Sequence, residues 1–141
     1  MTVRYRTLPT EQRHPRSRNL DRLSTARLLR LMNQEDLRAV RAVGGALTPI
    51  ARAIDLITRA MQRGGRLFFV GAGTSGRLGV IEAAECPPTF HTLPSQVQAM
   101  IAGGRSAVFR SKEGAEDQGA GARAAIRQRV RTGDVVVGIA A

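Results

Sequence analysis

The sequence predicts an α/β fold built on a parallel sheet and preceded by helices. The first part of the chain spaces its apolar residues as helices do. Three short apolar segments then follow, separated by further helical patterns. Strands that alternate with helices in this way form parallel sheets. The 141 residues are enough for one small domain or for part of a larger one.

The chain is predicted to begin with an arm and a helical segment. Residues 1–22 are polar and contain two prolines, which is typical of an arm rather than of a packed element. Residues 23–63 form the helical segment, and Ser24 is expected to cap its first helix. Three helices are predicted here: Thr25–Met32, Glu35–Val43, and one that begins near Thr48 and ends before Gly64.

Residues 64–141 are predicted to form the first part of an α/β domain. Pro87 and Pro88 are expected to end the first helix of this domain, because proline disrupts a helix interior. The predicted strands are Arg66–Val70, Val97–Ala102 and Val135–Ile139. The predicted helices between them are Arg77–Ala84, Ser106–Arg110 and Asp117–Arg131.

Basic residues outnumber acidic ones by 22 to 11, which gives a formal net charge of +11. All the basic residues are arginine except Lys112. A nucleic-acid interface usually clusters its basic residues, and aromatic residues accompany them where single strands stack. Here the arginines are spread from Arg4 to Arg131, and aromatic residues make up 4% of the chain. The charge therefore favours small anionic ligands such as sugar phosphates over a specific nucleic-acid partner.

Several classes of protein are excluded by simple features of the sequence. The longest apolar runs, Leu67–Val70 and Val135–Ala141, are far shorter than the roughly 20 residues of a membrane span. The first twenty residues hold five arginines and no apolar core, so no secretory signal is expected. Cys86 is the only cysteine, and no residue cluster has metal-ligand spacing. We expect a cytoplasmic chain without a bound metal or a membrane partner.

A glycine-rich turn, Gly71-Ala-Gly73-Thr-Ser-Gly76, lies between a predicted strand and a predicted helix. Glycines allow close approach to an anion, and the N–H groups at a helix start point toward it. A dinucleotide site has the same spacing but also an acidic residue about 20 positions on, at the end of the second strand. That count reaches Gln96, before the strand begins. We interpret Gly73, Thr74, Ser75 and Gly76 as a candidate site for a phosphate monoester, with a dinucleotide site and a ligand-free turn as alternatives.

Two groups of carboxylates follow the glycine-rich turn. Glu82 and Glu85 are three residues apart and share a helix face. A second group occurs in Glu113-Gly-Ala-Glu116-Asp117. Each group alone is typical of a solvated helix end. Beside a phosphate site, however, two glutamates can supply a general acid and a general base. Cys86 has no recognisable catalytic partner and is interpreted as a packing residue.

Five motifs are long enough to be specific: Val70-Gly-Ala-Gly-Thr-Ser-Gly-Arg-Leu-Gly79, Ala84-Glu-Cys-Pro-Pro-Thr-Phe90, Ile101-Ala-Gly-Gly104, Glu113-Gly-Ala-Glu-Asp117 and Asp134-Val-Val-Val-Gly-Ile-Ala-Ala141. Together they resemble the N-acetylmuramic acid 6-phosphate etherase family, and the resemblance runs along almost the whole chain. The same motifs are similar to those of the glucokinase regulatory protein, a sugar-phosphate sensor that is not an enzyme.

The resemblance implies a sugar isomerase (SIS) domain, a three-layer α/β/α sandwich around a parallel sheet, usually in a homodimer. Members of the family are about twice as long, so residues 64–141 are expected to be an incomplete SIS domain. The implied reaction cleaves the D-lactyl ether of N-acetylmuramic acid 6-phosphate by elimination and hydration. Its products are N-acetylglucosamine 6-phosphate and D-lactate, in cell-wall sugar recycling, with no cofactor.

The resemblance also implies roles for individual residues. Glu85 matches the family's proton donor, and Glu116 matches its second catalytic glutamate, assigned provisionally as the base at C2. Thr74 and Ser75 match part of the phosphate-binding loop. A regulatory sugar-phosphate binder is the alternative, and it would keep the loop but lose one of the two glutamates. Both glutamates are present, which favours the etherase interpretation.

Overall fold

A computed structural model of the chain describes residues 12–115, 117 and 119–140. The chain falls into two compact units that divide between Ala51 and Arg52. The boundaries expected from the sequence, at residues 22 and 63, stay predictions.

The first unit contains two short 3-10 helices, Pro15–Ser17 and Leu20–Arg22, and helix α1, Thr25–Gly45. The Ser24 side chain accepts a hydrogen bond from the Arg27 N–H at 3.4 Å, which confirms the predicted cap. The prediction of two separate helices here is wrong, because α1 is continuous. Asn33 and Gln34 lie between the two predicted helices, and neither glycine nor proline is present there to interrupt the helix.

Glu35 connects the arm with α1 through three basic side chains. Its carboxylate lies 2.7 Å from Arg38, 3.2 Å from His14 and 3.5 Å from Arg16. Partial burial acts to raise the pKa of Glu35, but the positive charges of Arg38, His14 and Arg16 outweigh it and hold the pKa below its ordinary value. Glu35 is therefore a structural carboxylate of the first unit.

Helix α2 covers Leu47–Gln62. Pro49 lies in its first turn, where the missing N–H of proline would have no partner inside the helix. Gly64, with a φ of +82°, follows the last turn and directs the chain toward the sheet. The predicted position of this helix is confirmed within two residues at each end.

The second unit contains a parallel sheet of three strands within the described residues. The strand order is β2-β1-β3, and the register aligns Phe69 of β1 with Ala99 of β2 and Val137 of β3. The helices flank this sheet, so the predicted α/β class is confirmed. The strands are β1 Leu67–Gly71, β2 Val97–Ile101 and β3 Val135–Ile139, and the remaining helices are α3 Gly73–Phe90, α4 Ser106–Phe109 and α5 Gly119–Arg129.

The buried residues of the sheet lie in the central strand, β1, and in its neighbour β2. Phe68 of β1 is completely buried. Burial of a side chain of this size contributes about 1.5–3 kcal/mol. The other buried apolar side chains are Leu67, Val97, Met100, Ala107 and Ala115, and Leu67 lies on the opposite face of the sheet from Phe68.

Helix α3 differs from its prediction at both ends. It begins at Gly73 rather than Arg77, so the glycine-rich turn forms its first turn. Pro87 and Pro88 lie inside it, and the expectation that they end the helix is wrong. A proline lacks the N–H that would bond to the carbonyl four residues earlier, and its ring crowds that carbonyl, but its own carbonyl can still accept. The Pro87 carbonyl accepts a hydrogen bond from the His91 N–H at 2.9 Å, and the helix continues to Phe90. The left-handed conformation of His91, with φ +57°, ends the helix.

The junction between β1 and α3 is too tight for side chains. A Cβ added at Gly71 would lie 2.8 Å from the Gly76 nitrogen and 2.9 Å from the Ile139 carbonyl oxygen. A Cβ added at Gly76 would lie 2.7 Å from both the Gly71 oxygen and Cγ1 of Ile101. These glycines therefore allow the first turn of α3 to lie directly against the end of the sheet.

The amino ends of β1 and β3 are joined by Arg66 and Asp134. One carboxylate oxygen of Asp134 accepts hydrogen bonds from the N–H and Nε of Arg66 at 2.9 and 3.1 Å. The other accepts from Nη2 of Arg66 at 2.6 Å and from the Arg131 N–H at 2.8 Å. The Asp134 side chain is 5% exposed. The hydrogen bonds from Arg66 are the main cause that lowers the pKa of Asp134 to about 2.

Substitution Asp134→Asn is expected to destabilise the second unit at neutral pH by roughly 1–3 kcal/mol, because it weakens a buried charged network. The pKa of Asp134 in the folded chain lies below the ordinary value of 3.8. Its contribution is therefore complete above that value and is lost as the pH falls toward 2. Urea denaturation at pH 7 and pH 2.5 measures the change. Asp55→Asn, on the exposed surface of α2, is the control. An equal effect of Asp134→Asn at both pH values would contradict the assignment.

Substitution Gly76→Ala is expected to destabilise the second unit by roughly 1–3 kcal/mol, because the new methyl group would overlap backbone atoms. Gly121→Ala is the matched control, since a Cβ there meets nothing within 4 Å. In the interior of α5 this change is expected to be neutral or stabilising by about 0.5–1 kcal/mol. Thermal denaturation of the two variants measures the difference. Equal melting temperatures would show that the junction is not tightly packed.

Candidate functional site

The carboxyl ends of the three described strands meet at one edge of the sheet, at Gly71, Ile101 and Ile139. The chain passes from β1 to β2 on one side and then crosses to β3 on the other side of β1, so the strand order reverses at β1. Ligands of open α/β sheets bind at such a switch point, outside the carboxyl ends of the strands. A cavity of about 400 Å³ opens at this edge. Its walls are formed by strand ends and α5, with Gly71, Ala72, Ala102, Ala115, Gly138 and Ala140 among the lining residues.

The first turn of α3 presents unpaired donors at this edge. The first N–H that bonds inside the helix belongs to Gly76, and it bonds to the Ala72 carbonyl at 3.0 Å. The N–H groups of Gly73, Thr74 and Ser75 precede it and have no helical acceptor. Gly73 has a φ of +52°, which a residue with a side chain rarely adopts. Thr74 is exposed and Ser75 half-buried, and within the described ranges neither hydroxyl makes a hydrogen bond. The arrangement suits a phosphate group.

A second, smaller cavity of about 90 Å³ lies beside this turn. It joins the start of α3 to the segment that follows α4. Lys112 contributes to it and donates a hydrogen bond to the Gly103 carbonyl at 2.8 Å. Charged and polar side chains therefore converge on the helix start from a distant part of the chain. The lining residues are Gly73, Arg77, Ala102, Ala107, Ser111, Lys112, Glu113 and Ala115.

Glu85 lies away from the glycine-rich turn in the single chain. It is exposed near the carboxyl end of α3. Ser75 and Glu85 are ten residues apart on this helix. At a rise of about 1.5 Å per residue, their backbones are roughly 15 Å apart along the helix axis. Glu82, which shares the helix face of Glu85, is exposed as well. One chain therefore separates the two predicted parts of the site by almost three helical turns.

Glu116, the second predicted catalytic residue, lies outside the described residues. Its neighbour Ala115 is buried and lines both cavities at the carboxyl edge. Glu113, from the same acidic group, lines the smaller cavity. The structure thus brings the segment that leads to Glu116 next to the start of α3.

Arg77 and Lys112 were missed as site residues by the sequence reasoning. Arg77 directly follows Gly76, the last residue of the glycine-rich turn. Its side chain therefore lies about one helical turn beyond the unpaired N–H groups at the start of α3. Lys112 is the one lysine in a chain that otherwise uses arginine. The position of Arg77 after the turn and the single lysine are both visible in the sequence. Neither feature predicts that Arg77 contacts a segment thirty residues away.

A cavity of about 670 Å³ lies at the opposite, amino edge of the sheet. Arg66 in its wall is already paired with Asp134. Helices α2 and α5 both end at this edge, so their terminal carbonyl groups carry partial negative charge there. The remaining arginines of the wall, Arg59, Arg63 and Arg131, complement those helix ends. The start of α3 at the carboxyl edge, whose first N–H groups have no helical acceptor, is therefore the better candidate for an anion site.

The other predicted alternatives are tested in part by the structure. The end of β2, where a dinucleotide fold carries an acidic residue, is occupied by Ile101 and Ala102. Cys86 is half-buried in α3. Among the described residues no three His, Cys, Asp or Glu side chains are grouped closely enough for a metal ion. In the same part of the chain, no helix combines the length and apolar character that crossing a membrane requires.

Comparison with known proteins agrees with this geometry. The family model of the glucokinase regulatory protein N-terminal SIS domain matches residues 49–141. A protein of Gloeobacter violaceus named N-acetylmuramic acid 6-phosphate etherase is 57% identical over 135 residues. Proteins with the same name from Rippkaea orientalis and Symbiobacterium thermophilum are 55% and 53% identical.

Each of these alignments covers 95% of this chain, but only 44–45% of the relative. The chain therefore spans less than half the length of the curated relatives it matches. The parallel sheet and its flanking helices are those of an SIS-type α/β fold. The chain belongs to the family defined by the N-terminal SIS domain of the glucokinase regulatory protein.

Proposed function

We propose that this chain carries the sugar-phosphate site of an N-acetylmuramic acid 6-phosphate etherase. The observation that carries the proposal is the first turn of α3, which presents unpaired N–H groups and two hydroxyls at the switch point of the sheet. Relatives at 53–57% identity bear the name of this enzyme. Gly73, Thr74, Ser75 and Gly76 would bind the 6-phosphate. The adjoining cavity of about 400 Å³ has room for part of the sugar.

The proposed reaction is an elimination followed by addition of water. A base removes the proton at C2, which is acidic because C2 is next to the aldehyde of the open-chain sugar. The bond between C3 and the lactyl oxygen breaks, and an acid gives that oxygen a proton, so that D-lactate leaves. Water then adds to C3 and a proton returns to C2, which forms N-acetylglucosamine 6-phosphate. Two carboxyl groups are sufficient for these proton transfers.

Glu85 is the proposed acid and Glu116 the proposed base. Because Glu85 lies roughly 15 Å along α3 from Ser75, we propose that a second copy of the protein supplies it. The face of α3 that carries Glu85 also carries Leu78 and Ile81, which are 51% and 55% exposed. Exposed apolar side chains of this kind mark association surfaces.

The proposed setting is the cytoplasm, in the recycling of cell-wall sugars. A phosphorylated sugar carries charge that an apolar bilayer excludes, so its enzyme has to share its compartment. No nucleic-acid partner is proposed, because the basic residues are spread along the chain rather than clustered with aromatic residues.

A non-catalytic sugar-phosphate sensor is the second candidate. The match to the glucokinase regulatory protein domain favours it, since the same phosphate turn serves a sensor and an enzyme. The presence of both Glu85 and Glu116 favours the etherase. Release of lactate distinguishes the two, because a sensor binds the sugar phosphate without consuming it.

Substitution Glu85→Gln is expected to lower lactate release from N-acetylmuramic acid 6-phosphate by roughly 100- to 10,000-fold, the usual effect of losing a general acid. Glu116→Gln is expected to have an effect of similar size. Glu82→Gln removes an exposed charge from the same face of α3 and is the control. A coupled D-lactate assay measures all three variants. Full turnover by Glu85→Gln would remove this residue from the mechanism.

Substitution of the two hydroxyl residues together, Thr74→Val with Ser75→Ala, is expected to weaken binding of N-acetylglucosamine 6-phosphate by at least about tenfold, because two charge-assisted hydrogen bonds are lost. Thr89→Val, at the far end of α3, is the control. Isothermal titration with the phosphorylated and the unphosphorylated sugar measures the effect. Equal affinity of wild type and the double variant for the sugar phosphate would place the phosphate elsewhere.

A further inference from the structure

Arg77 connects the two parts of the candidate site that lie at the start of α3. Its Nε donates a hydrogen bond to the Val108 carbonyl at 2.8 Å, and its Nη2 donates one to the Ala107 carbonyl at 2.9 Å. Both contacts are half-buried. The planar guanidinium group thus donates hydrogen bonds to two consecutive carbonyl groups in a fixed geometry. The single amine of a lysine cannot reproduce this geometry.

The two carbonyl groups lie in the last turn of α4, a helix of only four residues. Carbonyl groups at a helix end have no partner inside the helix, and a positive side chain there is favourable. Ala107 itself is 4% exposed, so the end of α4 is held at a buried position. Arg77 therefore joins α3 to the last turn of α4.

The chain leaves α4 toward the phosphate turn. Lys112 bonds to the Gly103 carbonyl at 2.8 Å, and the Ala115 N–H bonds to the Lys112 carbonyl at 3.3 Å. Ala115 is 6% exposed, and Glu113 lines the same small cavity as Gly73 and Arg77. Residues 106–115 thus form an anchored segment, and Glu116 is the next residue in the chain.

We infer that Arg77 is a positioning residue for the catalytic glutamate segment: through the carbonyl groups of Ala107 and Val108, it sets the place of residues 106–115 against the first turn of α3. The inference rests on the proposed function for its catalytic consequence. A shift of about 1 Å in a catalytic group costs up to roughly 100-fold in rate. Arg77 acts on the rate through the segment and does not itself touch the reacting atoms.

The test compares Arg77→Lys and Arg77→Ala with Arg110→Ala. Arg110 lies in the same segment, is exposed, and makes no side-chain hydrogen bond within the described ranges. Its loss therefore removes a positive charge but leaves the hydrogen bonds from Arg77 to the carbonyl groups in place. Amide hydrogen exchange over residues 106–115 is expected to accelerate about tenfold in both Arg77 variants, since two hydrogen bonds are weakened or lost. Exchange in β1 and in Arg110→Ala is expected to match the wild type.

Steady-state lactate release provides the second measurement. In Arg77→Ala the kcat is expected to fall roughly 10- to 100-fold while KM changes less than about threefold, because positioning affects the reacting state more than substrate binding. Added guanidinium ion is expected to restore part of the kcat of Arg77→Ala. If Arg77 had a purely structural role, its loss would lower the amount of folded protein but would leave the kcat and the KM of the folded fraction unchanged. Added guanidinium ion would then not restore the kcat.

Three results would overturn the inference. One is unchanged exchange over residues 106–115 in Arg77→Ala, and another is accelerated exchange with unchanged kcat. The third is a raised KM with unchanged kcat, which would mean that Arg77 binds the substrate directly. If the wild-type chain releases no lactate, its proposed etherase activity fails while the proposed phosphate site is judged by the sugar-phosphate titration, and the exchange experiment decides whether Arg77 anchors the segment.

Discussion

The close contact between the end of β1 and the first turn of α3 is the constraint on which the candidate site depends. The backbones of Gly71 and Gly76 approach so closely that a Cβ on either would overlap the other residue. This contact places the unpaired N–H groups of α3 directly above the switch point of the sheet. At the opposite edge, Arg66 and Asp134 hold β1 and β3 together. The structural ion pair of Arg66 and Asp134 thus lies at one end of the strands, and the candidate ligand site lies at the other.

The length of α3 has a direct consequence for chemistry. One helix carries the phosphate donors in its first turn and Glu85 near its last. The helix keeps the backbones of these residues roughly 15 Å apart, which is the reason for proposing that another chain supplies Glu85. The proposed contact would use the exposed apolar residues Leu78 and Ile81, which lie on the face of Glu85. The proposed etherase site is therefore a property of an assembly, whereas the phosphate turn and the Arg77 contacts belong to the single chain.

Local sequence signals were sufficient for most of the fold and for part of the site. The run Val135–Ile139 predicts a strand with the observed bounds, because it is short, rich in valine and preceded by the turn Thr132-Gly-Asp134. The predicted end of α3 is wrong because the helix tolerates two prolines near its carboxyl end, where the Pro87 carbonyl still accepts a hydrogen bond from the His91 N–H. The contacts of Arg77 join residues about thirty positions apart. Only the packed structure reveals a contact of that kind, and the distance of Glu85 from Ser75 depended on where α3 begins.

The central claim is that a sugar phosphate binds at the start of α3. The most direct measurement is a titration of isotope-labelled protein with N-acetylglucosamine 6-phosphate, followed through the backbone amide resonances. The account predicts that the largest shifts occur at Gly73, Thr74 and Ser75, and that the unphosphorylated sugar leaves these resonances nearly unchanged. Shifts confined to the amino edge of the sheet, around Arg59 and Arg63, with none in the first turn of α3, would contradict it.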